Sequence, residues 1–460
     1  MNSVVKTAPL GMIAAFAHDA QAQQQDVRPN IVAIVADDLA SHEIGCYGGQ
    51  NIATPNIDRI AGEGVRFTHH FASCAMSVPV RASLYTGLYP ARHGVFQNHK
   101  KTYSHVKSIA HYLPATGYRV WRTGKTHTMP RSVYPFEDIP GFETDCVKQS
   151  ADYSTDSLKV RILNAKQPFC LFVCSTLPHA PWTVGDTAAI SPGQLVLPPN
   201  LIDSKDFREI YRKYLAEVKV LDEQVGAVWT MLEETGQLDN TLFLFLGEQG
   251  PQLPGGKWTC WNYGQSSALI ARYPPQIEAG TSSDALVQYE DILPTLMEFA
   301  GGKAIADIDG ESFLPVLLGK RTTHRQWVYG IHNNIPEGTA YPVRSIQDKR
   351  YKLIINLSPE ASYFEKHLMN MNNPNGVWSV WNEAAKTDTH AKAMIERFVH
   401  RPAVEFYDLQ TDPWELNNLA LNRKYAKRIA KMEKLLKTWM AQQGDTGAAM
   451  DVKQEAGRNL

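Results

Sequence analysis

The chain has 460 residues, 43% hydrophobic and 20% charged, with 46 Lys plus Arg against 47 Asp plus Glu and a formal net charge of -1. That length suggests two or three domains, or one large α/β domain with an appendage, and the composition excludes a largely disordered chain. The balanced charge excludes a dedicated nucleic-acid or anionic-membrane binder, so any anion must be met by a few placed cations, and no apolar run approaches the roughly 20 residues of a membrane span.

At the N-terminus, Lys6, a weakly apolar stretch over 9–17 and the small-x-small run Ala20-Gln21-Ala22 read as an export signal over residues 1–22. A periplasmic or secreted protein is expected, with a disordered tail of a cytosolic protein as the alternative. Continuous apolar runs at 31–36, 169–174 and 242–246, and a shorter one at 118–121, suit strands buried on both faces of a parallel sheet. Helices are expected between them. Residues 55–64 start with Thr54 as a cap and Pro55 at the first helical position. Residues 210–234 carry Tyr214, Val218, Leu221, Val225, Val228 and Leu232 near a 3.6-residue period. Residues 291–300 stop on Gly301-Gly302. This alternation predicts a doubly wound, mostly parallel sheet sandwiched by helices, over residues 23–340. Past about residue 340 the texture changes. Residues 351–355 and 405–409 read as antiparallel strands and 425–442 as a terminal helix, which predicts a smaller α+β subdomain over 341–460. The six cysteines make no metal-binding spacing. Cys170 and Cys174 would lie about 13 Å apart on one strand, too far to bridge each other, and read as buried small hydrophobes; Cys74 reads as structural.

Ligands of open α/β sheets bind beyond the carboxyl ends of the strands. The first apolar run ends in Asp37-Asp38, the second strand candidate leads through Gly124 to Lys125 and His127, the third leads through Pro178 to His179, and the fourth ends in Glu248-Gln249. One acidic pair after a strand is usually a cap or a solvated turn. Four such endings on one sheet edge bring carboxylates and an amide, suited to a hard divalent cation such as Ca²⁺ or Mg²⁺, beside a lysine and two histidines, suited to an anionic ester. Residues 77–81 (SVPVR) open a short helix that ends at Gly87, which puts Ser77 where the helix dipole and free N–H groups favour anions; a plain capping serine is the alternative.

The run 77–81 (SVPVR), with 84–94 (LYTGLYPARHG), resembles the signature of the type I, formylglycine-dependent sulfatases of the alkaline phosphatase superfamily. The resemblance extends through 28–31 (RPNI) with Asp37-Asp38, 54–61 (TPNIDRIA), 117–127 (GYRVWRTGKTH), 179–182 (HAPW) and 407–419 (YDLQTDPWELNNL), in order over about residues 28–420. The second half is more weakly similar to the branch that contains heparan N-sulfatase. The resemblance implies an alkaline-phosphatase-like fold and a sulfuric ester hydrolase acting on sulfated carbohydrates. It implies that Ser77 is oxidised to formylglycine (3-oxoalanine), whose hydrate is a far better nucleophile than a serine hydroxyl.

Carried over residue by residue, the resemblance assigns one Ca²⁺ per chain to Asp37, Asp38, Glu248, Gln249 and the modified Ser77. Arg81 would hold the formylglycine hydrate, and Lys125 and Lys257 would contact the sulfate oxygens. His179 would be proton donor or sulfate ligand, and His127 the base that expels sulfate and restores the aldehyde. Where the family commonly has Asp with Asn or His, this chain has Glu248-Gln249, each one methylene longer. Serine rather than cysteine at 77 implies a maturation enzyme that oxidises serine, or an inactivated variant. Lys257 is placed by its order within 255–258 (GGKW). Trp182, Trp258 and Trp261 lie near motif residues and could stack on sugar rings. His332, Arg344 and the segment 378–381 are candidates for a leaving-group pocket. Two other readings stay open. One is a two-zinc phosphomonoesterase or phosphodiesterase of the same superfamily. The other is a non-catalytic sulfoglycan-binding protein with unmodified Ser77.

Overall fold

The computed structural model describes residues 28–451; the expected export signal over 1–22 lies outside them. A nine-stranded sheet runs in the order β4-β3-β5-β1-β6-β7-β2-β8, with β9 paired to β2. Its strands are β1 (Asn30–Ala36), β2 (Val65–Phe71), β3 (Arg119–Gly124), β4 (Glu137–Asp138), β5 (Phe169–Cys174), β6 (Thr241–Gly247), β7 (Ser266–Arg272), β8 (Thr281–Ser283) and β9 (Val287–Gln288). From β4 to β6 all pairings are parallel, while β7 is antiparallel to both neighbours. A second sheet, β10-β11-β12-β13, is wholly antiparallel: Val328–His332, Val343–Gln347, Tyr351–Asn356 and Val404–Asp408. It begins at Val328, ahead of the change of texture seen in the sequence.

Side-chain alternation divides the core. Val32 and Ile34 of β1, Leu171 and Val173 of β5, and Phe243 and Phe245 of β6 face one layer of helices. Ile31, Ala33, Val35, Cys170, Phe172, Cys174, Leu242, Leu244 and Leu246 face the other. Both faces are covered, which is why these runs carry no polar residue. Cys170 and Cys174 sit buried on the same face, and all six cysteines are free.

The helices follow the sequence with small differences at their ends. The first is Pro55–Gly62, and its N–H groups are capped by the remote Asp222 rather than by Thr54, whose side chain makes no capping bond. The long helix starts five residues before the periodic stretch, at Lys205, because Ser204 accepts the Phe207 N–H as its cap, and it ends at Glu234. The C-terminal helix is Ala426–Gln442. Strands β2 and β7 are additions to the sequence reading. β2 (VRFTHHF) mixes polar and apolar residues, and β7 has only a short apolar run, Ala268–Ala271. Among the described residues no helix is long and apolar enough to cross a membrane.

Candidate active site

Strand register assembles the site. β1 and β6 pair Ala36 with Gly247, so Asp37-Asp38 and Glu248-Gln249 leave the sheet side by side, and the Glu248 N–H donates to the Ala36 carbonyl at 2.8 Å. On the other flank Gly124 of β3 pairs with Cys174 of β5, which sets Lys125 at the same edge. Gly124 has φ +79°, and a Cβ there would lie 2.0 Å from the Cys174 carbonyl oxygen, so only glycine permits this turn. The segment after β3 is not extended: His127 has φ +40°, so Lys125 and His127 reach the site by a turn and not by strand alternation. Asp38 (φ +58°) and Trp258 (φ +67°) also hold left-handed backbone. Such non-glycine conformations persist where the surrounding contacts over-determine them.

Ser77 is the first residue of the helix Ser77–Thr86, which Gly87 ends in a left-handed conformation. Ser77 is therefore not the cap; Met76 holds that position, without a side-chain bond. The Val78 N–H donates to Asn98 Oδ1 at 3.3 Å, and Asn98 Nδ2 donates to Glu337 Oε1 at 3.0 Å, so a residue from another loop caps the first turn. Ser77 Oγ lies 3.0 Å from Glu248 Oε2 and 3.4 Å from Asp37 Oδ1, and accepts from Lys125 Nζ at 3.1 Å. Arg81, one turn on along the same face, pairs with Glu248 Oε1 at 2.6 Å and leaves its Nη2 buried without a partner. Lys125 Nζ meets Asp37 Oδ2 at 2.6 Å, and Lys257 Nζ meets Asp38 Oδ2 at 2.8 Å. Gln249 Nε2 donates to Asp38 Oδ1, while its Oε1 is buried with no partner. His179 Nε2 is 3.6 Å from Asp38 Oδ2.

The electrostatics follow from burial. Burial raises the Glu248 carboxyl above its usual range against the pull of Arg81, and the neighbouring Asp37 raises it further. Burial opposes the Arg81 charge, but Glu248 outweighs it and holds the guanidinium well above its ordinary value. His179 is pushed down to about 3, by burial first and then by Lys257. His127 is pushed down as well, by burial and then by Lys125 and Arg81. Both imidazoles are therefore held neutral near neutral pH. Oxygens of Asp37, Asp38 and Glu248 lie within 4.8 Å of one another. Three buried carboxylates and an orphaned amide oxygen fit a hard divalent cation, which would relieve their mutual repulsion.

Lys125 and Lys257, which pair with Asp37 and Asp38, lie on the wall of a cavity of about 970 Å³ with His127, His179, Trp182 and Trp258, while Ser77 and the carboxylates themselves are buried and do not line it. The catalytic and metal-binding residues named from the sequence thus come together. The leaving-group candidates do not. Arg344 is fully buried and paired with Asp445 and Asp451, and His332 is buried in the interior. Trp378 and Trp381 pack in the core, where only their neighbours Gly376 and Val377 reach the cavity. Trp261 is also interior, its Nε1 donating to Glu405 at 2.8 Å under the Arg397 guanidinium. Sequence reasoning missed Asn98, Cys146, Glu337 and His367 on the cavity wall. They sit on irregular segments with no periodicity or strand end to mark them.

The fold and site define a class: an alkaline-phosphatase-like α/β architecture with an acidic edge facing buried cations. Residues 29–302 match the family "Sulfatase", and residues 257–399 match "N-sulphoglucosamine sulphohydrolase, C-terminal". An "Ulvan-active sulfatase" of Formosa agariphila is 34% identical, over 91% of this chain and 81% of the relative. Human "N-sulphoglucosamine sulphohydrolase" is 25% identical over 89% of each chain, and "N-acetylglucosamine-6-O-sulfatase" of Bacteroides thetaiotaomicron is 24% identical over 92% and 88%. A solved structure in complex with its substrate D-glucosamine-2-N,6-O-disulfate superposes with a TM-score of 0.70 at 23% identity, over 91% of this chain and 99% of that one. The phosphonate monoester hydrolase of Agrobacterium radiobacter also superposes at 0.70, with 20% identity over 90% and 96%, so the fold alone does not select sulfate. The chain belongs to the sulfatase family and is a sulfuric ester hydrolase.

Proposed function

We propose that this protein releases inorganic sulfate from sulfated poly- or oligosaccharides, using residue 77 as formylglycine after a maturation enzyme has oxidised the serine. The observation that carries this reading is the position of Ser77 Oγ, within 3.4 Å of Asp37, Glu248 and Lys125, the last of which lines a cavity of about 970 Å³. The sulfated-sugar substrates named for several relatives support it.

In this reading Asp37, Asp38, Glu248, Gln249 and residue 77 hold one Ca²⁺, an assignment supported by their oxygen-only donors. The metal and the formylglycine hydrate, when present, supply charge neutralisation and a diol nucleophile. Arg81 orients residue 77. Lys125 and Lys257 bind the sulfate oxygens in both ground and transition states. His179, neutral and with its Nε2 facing the acidic edge, stands beside the sulfate as a ligand of the sulfuryl group or of the departing oxygen, and His127 takes a proton from residue 77 so that sulfate can leave. Trp182 and Trp258 give the sugar aromatic walls. The protein is periplasmic or secreted after removal of residues 1–22, with a catalytic domain over 23–340 and a C-terminal subdomain over 341–460.

Ser77→Ala tests the reading, because alanine cannot become an aldehyde. The expected result is a folded protein without sulfate release, while the native Ser77 peptide weighs about 2 mass units less than the serine form. Turnover by Ser77→Ala would overturn it.

A further inference from the structure

Beside the oxygen cluster stands a second donor set of different chemistry. Ligand atoms of Asp37, Cys146 and His179 lie within 4.8 Å of one another. The set is one thiol, one imidazole and one carboxylate, and it shares Asp37 with the oxygen cluster. Calcium has little affinity for sulfur or imidazole nitrogen, whereas Zn²⁺ accepts all three and commonly takes three protein ligands with a fourth position open.

Two further features aim these groups at one point. His179 Nδ1 contacts the Ala180 carbonyl, an acceptor, so Nδ1 carries the hydrogen and the Nε2 lone pair faces the acidic edge. That Nε2 stands 3.6 Å from Asp38 Oδ2, which Lys257 Nζ also meets at 2.8 Å, so the lone pair is left free of a hydrogen-bond donor and turned toward the acidic edge. A ligating histidine characteristically has its other nitrogen fixed by a carbonyl in this way. Gln149, itself buried, then joins the two loops: its Nε2 donates to the Cys146 carbonyl at 2.7 Å and also to the His179 carbonyl. One side chain thus holds the backbones of both soft donors in register.

We infer that Cys146, His179 and Asp37 form a binding site for a soft divalent cation of the Zn²⁺ type, overlapping the sulfate position and therefore inhibitory. The inference rests on the sulfatase reading only for its inhibitory consequence; the binding itself does not. Both Cys146 and His179 line the substrate cavity, so a metal held there occupies the approach of the sulfuryl group. Binding displaces the Cys146 thiol proton to solvent and leaves the thiolate on the metal, with no change of oxidation state. The two metals remain distinct: calcium in the oxygen set, zinc in the mixed set.

The test uses matured, calcium-loaded protein and Co²⁺ and Zn²⁺ as probes. Co²⁺ should give a thiolate-to-metal absorption band in the near ultraviolet. Zn²⁺ should bleach that band and bind at one equivalent per chain with calcium still present. Cys146→Ser should lose the band and weaken zinc binding by at least about tenfold. Zinc should inhibit sulfate release competitively with substrate, and Cys146→Ser should shift the half-inhibitory zinc concentration by the same factor. A cobalt spectrum without the thiolate band, or zinc binding unchanged in Cys146→Ser, would overturn the inference. If the sulfatase reading alone were wrong, the cobalt band and the zinc stoichiometry would stand and only the inhibition of sulfate release would be missing.

Discussion

Replacing Glu217 by glutamine isolates one buried carboxyl that holds the His179 loop. Glu217 lies on the long helix Lys205–Glu234, fully buried. Its Oε1 accepts the Thr183 N–H at 2.7 Å and the Val184 N–H at 3.3 Å, and its Oε2 has no partner. Burial pushes its pKa up to about 8, against those two N–H groups, which lower it. The folded-state pKa is therefore above the unfolded one. Stability from the neutral carboxyl is fully present below about pH 4.5 and is lost as the pH rises to about 8, because over that window the unfolded chain ionises and the folded one does not. A shift of roughly 3.5 units is worth at most about 5 kcal/mol; local relaxation and water entry on ionisation reduce it, and we expect about 2–4 kcal/mol. The glutamine side chain would keep the acceptor oxygen and never ionise. The assay is urea unfolding of wild type and Glu217→Gln at pH 5, 6.5 and 8. All other groups titrate equally in both, so the difference reports Glu217 alone. The variant should gain on the wild type with each step, and most of the gap should be open at pH 8. A gap that does not change with pH, or a variant that loses ground as pH rises, would refute the reasoning.

Lys257→Ala removes the cation from Asp38 and should lower kcat/KM by about 3 kcal/mol with the fold intact, as read from steady-state kinetics and thermal unfolding. His127→Ala should lower kcat by about 10²–10⁴ and lower KM with it, since the step assigned to it follows sulfate transfer to residue 77 and the sulfated protein, about 80 mass units heavier, should accumulate; normal turnover would make it a structural histidine. Elemental analysis should find about one Ca²⁺ per chain, and a chelator should lower both the melting temperature and activity, each restored by Ca²⁺. Two equivalents of zinc in the native protein would favour the phosphatase reading instead.

The strand endings were legible because a strand buried on both faces must be an unbroken apolar run, so the first charged residues after it mark the carboxyl edge of the sheet. Asp37-Asp38 and Glu248-Gln249 stand out for that reason, and the β1–β6 register then sets them side by side. The short helix carrying Ser77 was legible from its proline and its terminal glycine. Arg344 shows the opposite case. An arginine on an antiparallel strand reads as a candidate ligand, and only the C-terminal segment, which brings Asp445 and Asp451 over it, makes it an interior ion pair. Trp378 and Trp381 likewise fill the core because the helix Val377–Ala384 turns its apolar face inward.

The sequence by itself determined the alternation of strands and helices, the buried character of the central strands and the residue types at one sheet edge, since each depends on hydrophobic period and local turn chemistry. Tertiary structure decided what stands beside those residues. Asn98 caps the Ser77 helix from 20 positions away, Glu217 pins the His179 loop from another helix, and Gln149 binds the Cys146 and His179 loops together. These contacts join irregular segments far apart in the chain, where no period or spacing records a partner, so only the folded arrangement reveals them.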